Sequence, residues 1–153
     1  MLSVIEKDIL DVVDGMVVHQ VNCRGKMGTG LAGQLRTKYP NIYKKYIDLY
    51  NEYLESGETI KILGTAQIIP ISEKLRIVNA FTQFNYGYDG KLYTNYDAIR
   101  EVFSRLKIVN VKKTPVYIPY QYGSGLGGGN WTVVQQVIES VYPEVIVCKR
   151  VGD

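Results

Sequence analysis

Two glycine-rich loops, each set between a short apolar strand and a helix, most constrain how this chain can fold. The first reads His19-Gln-Val-Asn-Cys-Arg-Gly-Lys-Met-Gly-Thr-Gly-Leu-Ala-Gly33, and the second Pro119-Tyr-Gln-Tyr-Gly-Ser-Gly-Leu-Gly-Gly-Gly-Asn-Trp131. A recurring strand, loop and helix predict a sheet with helices packed on it. Ligands of such sheets bind beyond the carboxyl ends of the strands, which is where both loops fall.

The rest of the chain follows the same alternation of strands and helices. Strands are predicted at Leu2–Glu6, Val17–Asn22, Gly64–Pro70, Leu75–Phe81, Val116–Pro119 and Val145–Cys148. Helices are predicted at Gly30–Tyr39, Asn41–Ser56 and Asn130–Val141, and a fourth begins at Thr94 with Asp97 completing a partial capping box. The pattern predicts one three-layer α/β domain over residues 1–153.

Composition and charge exclude several classes of protein. No apolar run is long enough to span a membrane, and the first residues lack the basic and apolar regions of a signal peptide. Cys23 and Cys148 lie far apart without metal-ligand spacing, so we expect a reduced, cytoplasmic protein without metal or cofactor. The net charge of +3 suits an anionic ligand and is weak for a nucleic-acid-binding protein.

The glycine loops themselves favour phosphate binding. Glycine lets backbone N–H groups approach an anion, and the helix that follows adds a favourable dipole. Gly28-Thr-Gly-Leu-Ala-Gly33 matches a dinucleotide fingerprint, but helical pattern persists to Ser56 where that fold requires a strand. A P-loop is excluded because Met27 follows Gly25-Lys26. Tight turns are the alternative use of such glycines, yet two loops at equivalent strand ends favour a diphosphate held from both sides.

Taken in order, these motifs resemble those of the macro-domain family. The resemblance rests on Lys7-Asp-Ile9 after the first strand, Val21-Asn22 with Gly28-Thr-Gly-Leu-Ala32, Val78-Asn-Ala-Phe-Thr-Gln83, and Gly123-Ser-Gly-Leu-Gly127. It is strongest for the branch of the terminal ADP-ribose protein glycohydrolase and the yeast ADP-ribose-1''-phosphate phosphatase. It implies a three-layer α/β/α fold with a mixed, largely parallel central sheet and a cleft for ADP-ribose.

The resemblance also assigns expected roles to individual residues. It implies that Asp8 accepts from the adenine amino group beside Ile9, and that main-chain N–H groups of the two loops hold the diphosphate. Lys26 would add positive charge, and Asn22, Thr82 and Gln83 would border the distal ribose. The expected binding residues are Asp8, Ile9, Asn22, Lys26, Met27, Gly28, Thr29, Gly30, Leu31, Phe81, Thr82, Gln83, Gly123, Ser124, Gly125, Leu126 and Gly127.

Catalysis is less constrained than binding. The glycohydrolase branch uses a lysine and an aspartate where this chain has Gln83 and Gly127, and neither an amide nor glycine can supply that chemistry. His19, Asn22 and Gln83 remain as candidate catalytic residues. A satisfied core histidine is the alternative role of His19, because strand alternation sends it and Asn22 to opposite faces of the sheet.

Three hypotheses of function follow. The first is a monomeric enzyme that releases the phosphate of ADP-ribose 1''-phosphate. The second is a non-catalytic binder of ADP-ribose or a related nucleotide signal, and the third a nucleic-acid-binding module suggested by 13 tyrosines and the basic balance. The missing lysine and aspartate disfavour lysine-dependent removal of ADP-ribose from protein glutamate, and de-ADP-ribosylation of protein or nucleic acid is the least favoured alternative.

Overall fold

The computed structural model describes residues 1–153 and contains a six-stranded sheet between two layers of helices. The strands are β1 (Ser3–Glu6), β2 (Gly15–Val21), β3 (Ala66–Pro70), β4 (Leu75–Phe81), β5 (Val116–Pro119) and β6 (Ile146–Lys149). The helices are α1 (Gly30–Lys38), α2 (Pro40–Glu55), α3 (Tyr96–Val109) and α4 (Trp131–Val141), with short 3-10 helices at Ile9–Asp11 and Thr59–Ile62.

The sheet has the strand order β1-β6-β5-β2-β4-β3. Every neighbouring pair is parallel except β3 and β4, so the sheet is mixed and largely parallel, as expected. Because β2 and β5 are adjacent and parallel, the two glycine loops leave the sheet side by side at the same edge.

Strand β2 is buried on both faces, which explains its continuous apolar sequence. Val18 packs with Ile99 and Ile138 in the core under α3 and α4. Val17 packs with Ile42 in the core under α1 and α2. The two cores confirm the predicted three-layer arrangement. No helix combines the length and the apolar character needed to cross a membrane.

The start of α3 differs from the predicted one. Asn95, not Thr94, is the N-cap, and its side chain accepts from the backbone N–H of Ala98 at 2.8 Å. The Thr94 hydroxyl instead donates to the carbonyl oxygen of Gly123 at 2.6 Å. The predicted capping box is therefore wrong, because Thr94 is buried against the second glycine loop.

Candidate functional site

A cleft of two adjoining cavities lies at the carboxyl-terminal edge of the sheet. One cavity, of about 590 Å³, is called the main cavity because both glycine loops line it. The side cavity, of about 640 Å³, is lined by Asp8, Arg150, Asp153 and part of the first loop. Their walls share Gly28, Gly30, Leu31, Pro119 and Tyr120. An elongated ligand can therefore lie across both cavities.

One asparagine and one tyrosine hold the first glycine loop from behind. Asn22 Oδ1 accepts from the backbone N–H groups of Arg24 at 3.0 Å and Lys26 at 3.4 Å, and its Nδ2 donates to the Lys26 carbonyl at 2.8 Å. The buried Tyr46 hydroxyl lies 2.7 Å from Asn22 Oδ1 and 2.8 Å from its carbonyl oxygen. Burial raises the pKa of Tyr46, so its hydroxyl remains a donor. The Asn22 side chain therefore positions the loop.

The first turn of α1 lies in the wall of the cleft without a side-chain cap. Thr29 is the N-cap residue, but its side chain makes no capping hydrogen bond. By contrast, Asn95 and Asn130 cap α3 and α4 with their side chains. Lys26 is the only lysine or arginine that lines the main cavity, and it lies beside this helix start. The arrangement suits an anion, which would satisfy the free N–H groups.

Most glycines of the second loop are packed against other atoms. A Cβ at Gly127 would lie 2.7 Å from Gln20 Nε2 and 2.8 Å from the Gly123 carbonyl oxygen. The Gly127 carbonyl also accepts from the backbone N–H groups of Tyr93 at 2.7 Å and Thr94 at 2.9 Å. No side chain fits at Gly127 without moving these neighbours.

Gly125 and Gly28 are different from those packed glycines. A Cβ at either position would meet nothing within 4 Å, and neither residue has a positive φ. Both residues line the main cavity. Neither backbone conformation nor packing therefore requires glycine at these two positions.

A directed chain of hydrogen bonds ties the second loop to the sheet. The Tyr122 hydroxyl lies 2.7 Å from Thr82 Oγ1, which donates to Gln20 Oε1 at 2.8 Å. Gln20 Nε2 then donates to Gln83 Oε1 at 2.8 Å and to Thr94 Oγ1 at 3.0 Å. The Thr94 hydroxyl in turn donates to the Gly123 carbonyl, as described above. We call Gln20, Thr82, Gln83, Thr94 and Tyr122 the glutamine network.

The network accounts for several residues that were expected in the site. Gln83 lines the main cavity, but its Oε1 accepts from Gln20 and its Nε2 donates to the Asn85 carbonyl at 2.8 Å. Thr82 and Phe81 are completely buried and line neither cavity. Ser124 also lines neither cavity. The remaining expected binding residues all line the cleft: Asp8, Ile9, Asn22, Lys26, Met27, Gly28, Thr29, Gly30, Leu31, Gly123, Gly125, Leu126 and Gly127.

His19 lies under the main cavity with only 1% of its surface exposed. Asn79 uses its Nδ2 to donate to Ile42 and Gln67, so its Oδ1 accepts from His19 Nε2 at 2.6 Å. His19 Nδ1 is buried without a partner. Burial lowers the pKa of His19 from 6.5 to about 4, although the hydrogen bond to Asn79 opposes this shift. The imidazole is therefore neutral at pH 7.

The expectation that His19 and Asn22 point to opposite faces is wrong. β2 ends at Val21, one residue earlier than predicted, so Asn22 no longer follows the alternation of the strand. Its side chain turns to Tyr46 of α2, and His19 contacts the Asn79 side chain that bonds to α2 at Ile42. Both residues thus lie on the α1 and α2 side of the sheet.

Asp8 lies at the far end of the cleft, in the side cavity. Its Oδ1 accepts from the backbone N–H of Leu10 at 2.9 Å and caps the short helix at Ile9–Asp11. Oδ2 has no partner within the chain and is free to accept from a ligand. Ile9 is buried behind it and also lines the side cavity.

The main cavity is poor in groups that transfer protons or act as nucleophiles. No aspartate or glutamate lines it. Burial raises the pKa of the Cys23 thiol to about 12, so Cys23 is not a thiolate at neutral pH. No three His, Cys, Asp or Glu side chains come together in an arrangement that could hold a metal ion. Lys26 is thus the only charged side chain that lines the main cavity.

Sequence reasoning missed several residues of the cleft. Gln20 and Tyr122 carry the glutamine network, and Tyr86 and Tyr88 line the main cavity. Gln20 could have been noticed as a polar residue within an otherwise apolar strand, one position after His19. The two exposed tyrosines had no comparable signal, because their placement depends on the path of a loop.

Comparison with known proteins gives sequence relatives of low identity. No protein-family model matches the chain. It is 26% identical to the ADP-ribose 1''-phosphate phosphatase of Aspergillus oryzae, over 97% of this chain and 93% of that protein. It is 27% identical to an uncharacterized 17.5 kDa protein of Enterobacteria phage T4, over 81% and 77%. It is 29% identical to the DNA ADP-ribosyl glycohydrolase of Mycobacterium tuberculosis, over 90% of this chain but only 38% of that enzyme.

Solved structures match over almost the whole chain. A protein of unknown function from Bacteroides thetaiotaomicron superposes with a TM-score of 0.81 at 25% identity, covering 98% of this chain and 97% of that one. The macrodomain of Mycobacterium tuberculosis DarG gives 0.72 at 22% identity, over 98% and 97%. Thermosipho africanus DarTG in complex with ADP-ribose gives 0.76 at 18% identity, over 99% of this chain and 42% of that one. The strand order, the two loops and these superpositions confirm the sequence resemblance: the chain is a macro domain by fold.

Proposed function

We propose that this chain binds ADP-ribose or a derivative of it along the two cavities. The diphosphate lies in the main cavity between Gly28–Leu31 and Gly123–Gly127. The adenine lies in the side cavity beside Asp8, and the distal ribose lies toward Asn22 and Gln83. The observation that carries the proposal is that Gly28 and Gly125 border open space without a positive φ. We call these two residues the open glycines.

The open glycines support this proposal because folding does not require them. Glycine costs conformational entropy on folding and is expected where φ is positive, where atoms are packed closely, or where a ligand approaches the backbone. The first two reasons do not apply to Gly28 or Gly125. The close approach of a ligand from the main cavity explains both, and a diphosphate uses donors from two loops at once.

The charges and hydrogen-bonding groups along the cleft support the same ligand. The uncapped start of α1 and the Lys26 side chain offer positive potential at the diphosphate position. The free oxygen of Asp8 offers the acceptor that an adenine amino group needs at the other end. Two of the sequence relatives, the ADP-ribose 1''-phosphate phosphatase and the DNA ADP-ribosyl glycohydrolase, are named for action on ADP-ribose derivatives.

Hydrolysis of ADP-ribose 1''-phosphate is the activity we propose to test first. The relative named as such a phosphatase aligns with nearly the full length of both chains. With no carboxylate in the main cavity and His19 buried, an attacking water would depend on positioning and on charge stabilisation by Lys26. Lysine-dependent removal of ADP-ribose from protein is disfavoured, because Gly127 has no room for the aspartate of that branch.

The test is calorimetric titration of ADP-ribose, followed by phosphate release from ADP-ribose 1''-phosphate. We expect saturable binding by the wild-type chain and none measurable by Gly125→Glu, whose side chain occupies the diphosphate position. Asn51→Glu adds the same charge on the exposed face of α2, away from both cavities, and should bind normally.

The outcomes separate the alternatives. Binding together with phosphate release that Gly125→Glu lacks supports the phosphatase. Binding without release leaves a non-catalytic binder and removes the phosphatase. Absence of ADP-ribose binding by the wild-type chain contradicts the proposal as a whole.

A further inference from the structure

Four tyrosines line the main cavity, and they fall into two pairs. Tyr122 bonds to Thr82, and Tyr120 packs edge-to-face on Trp131 with ring centroids 5.6 Å apart. Tyr86 and Tyr88 are 37% and 68% exposed. Neither of their hydroxyls makes a hydrogen bond, and neither ring has an aromatic or cationic partner within the chain. Tyr120 and Tyr122 therefore have partners within the fold, whereas Tyr86 and Tyr88 have none of these kinds.

Tyr86 and Tyr88 belong to the segment 84–93, which is held in place by hydrogen bonds. Its ends are joined by the bridge between Gln83 and Thr94. The Phe84 carbonyl accepts from the backbone N–H of Cys23 at 2.9 Å, and the Tyr93 hydroxyl donates to Asp89 at 2.8 Å. These bonds tie the segment to the first glycine loop and to itself, so both tyrosines are presented at the rim of the main cavity.

Gly87, between the two tyrosines, has no room for a side chain because the Tyr93 hydroxyl occupies that space. The Tyr93 hydroxyl thus fills the space beside Gly87, while Tyr86 and Tyr88 on either side of it are exposed. Two rings that line one cavity and have no aromatic or cationic partner in the chain offer a surface on which a planar group can stack. A ligand that contacts them gives both rings a function.

The position of the pair along the cleft indicates which part of a ligand it meets. Tyr86 and Tyr88 line the main cavity and not the side cavity, which holds Asp8. In the orientation proposed above, on which this inference rests, they lie beyond the diphosphate at the end of the distal ribose. We propose that Tyr86 and Tyr88 contact a planar aromatic group on C1'' of the distal ribose, as in an ADP-ribose carrying a nucleobase or nicotinamide.

The chemistry of the two rings favours a planar group over an aliphatic amino-acid side chain. Tyrosine faces stack on planar rings, and every base has such a face. A phosphate on C1'' would be met by Lys26, the only cation that lines the main cavity, and not by the two rings. Lys91 of the same segment lies 3.6 Å from Asp89 and outside the cavity. An aliphatic ester of ADP-ribose would leave the rings uncovered.

The test compares the affinities of three ligands by calorimetry: ADP-ribose, NAD⁺, and a short single-stranded oligonucleotide with ADP-ribose on one base. We expect one of the ring-bearing ligands to bind about tenfold more tightly than ADP-ribose, the effect of one stacking contact. Which of the two gains affinity identifies the source of the ring. Tyr88→Ala and Tyr86→Ala should reduce this preference, and Tyr88→Phe should retain it because the ring remains.

Leu92→Ala is the matched control on the same segment, since Leu92 is 57% exposed and lines neither cavity. It should keep the full preference. If ADP-ribose binds but neither ring-bearing ligand binds more tightly, the inference is wrong and the proposed function stands. The same holds if the preference persists in the double variant with alanine at both tyrosines. If ADP-ribose itself does not bind, the proposed function fails first.

Discussion

The two glycine loops line one cavity but differ in how many of their glycines are packed against other atoms. In the first loop, Gly25 and Gly33 are packed against other atoms but Gly28 and Gly30 border open space, and side chains behind the loop hold its shape. In the second, Gly127 and Gly128 are pressed against neighbouring backbone or side chains, and Gly125 alone faces open space without a positive φ. A glycine-rich motif therefore combines positions that folding requires with positions that only a ligand explains.

The support behind each loop differs in the same way. The first depends on Asn22 and on the hydroxyl of Tyr46, on a face of the sheet that also buries His19. The second depends on the glutamine network, whose amides and hydroxyls carry no charge near neutral pH. Burial raises the pKa of Tyr122, the only member of that network with an acidic phenol. The difference suggests four ways to test the comparison.

The largest effect should come from placing a side chain at a packed glycine. Gly127→Asp would push a carboxylate against Gln20 and the Gly123 carbonyl, so we expect the free energy of unfolding to fall by about 4 kcal/mol. Gly125→Asp carries the same change two residues earlier and should stay within about 0.5 kcal/mol of the wild type. Chemical denaturation measures both. Equal stabilities would remove the distinction between the two kinds of glycine.

The next effect concerns ligand binding through the open glycine of the first loop. Gly28→Glu should weaken ADP-ribose binding at least about 100-fold, or about 2.7 kcal/mol, because its side chain enters the diphosphate position with a like charge. Stability should change little, since nothing lies within 4 Å of the new Cβ. Calorimetry with ADP-ribose measures the effect. An unchanged affinity would show that the first loop does not contact the diphosphate.

Acid should weaken the face that supports the first loop. The pKa of His19 is about 4 in the folded chain and 6.5 without burial, so the unfolded chain binds more protons as the pH falls through this window. Stability from the neutral imidazole is present above pH 6.5 and is lost toward pH 4. We expect a loss of about 2 kcal/mol between pH 7 and pH 5, which His19→Gln should abolish. A wild-type stability independent of pH over that range would contradict the assigned environment of His19.

The smallest effect separates the two oxygens of Asp8. Asp8→Asn keeps the oxygen that caps the helix at Ile9–Asp11 but replaces the free acceptor with a donor. Stability should be preserved, and ADP-ribose binding should weaken by about 1 kcal/mol. Asp8→Ala should lose stability as well as affinity. If Asp8→Asn binds ADP-ribose as tightly as the wild type, the adenine does not lie in the side cavity.

Local patterns predicted the elements better than the contacts between them. The strands Leu75–Phe81 and Val116–Pro119 have the predicted bounds, because continuous apolar runs with clear breakers determine them locally. The predicted start of α3 is wrong because the Thr94 hydroxyl bonds to the second loop and Asn95 caps the helix instead. Tertiary context overrides a capping pattern of this kind without leaving a local signal.

The site shows the same limit. The sequence indicated which loops border the cleft, since strand order brings their ends together. It could not indicate that Gln20 bonds to Gln83, 63 residues away, or that Thr82 lies beneath the cavity. Nor could it separate Gly125 from Gly127, because the difference lies in the neighbouring atoms and not in the residue type.

The most direct measurement is a crystal structure of this chain with ADP-ribose. We predict diphosphate oxygens at about 3 Å from main-chain N–H groups of both loops, in contact with the open sides of Gly28 and Gly125. The adenine should lie in the side cavity at Asp8. A diphosphate bound outside the loops, with Gly28 and Gly125 still facing solvent, would contradict the central claim that these two glycines are kept for the ligand.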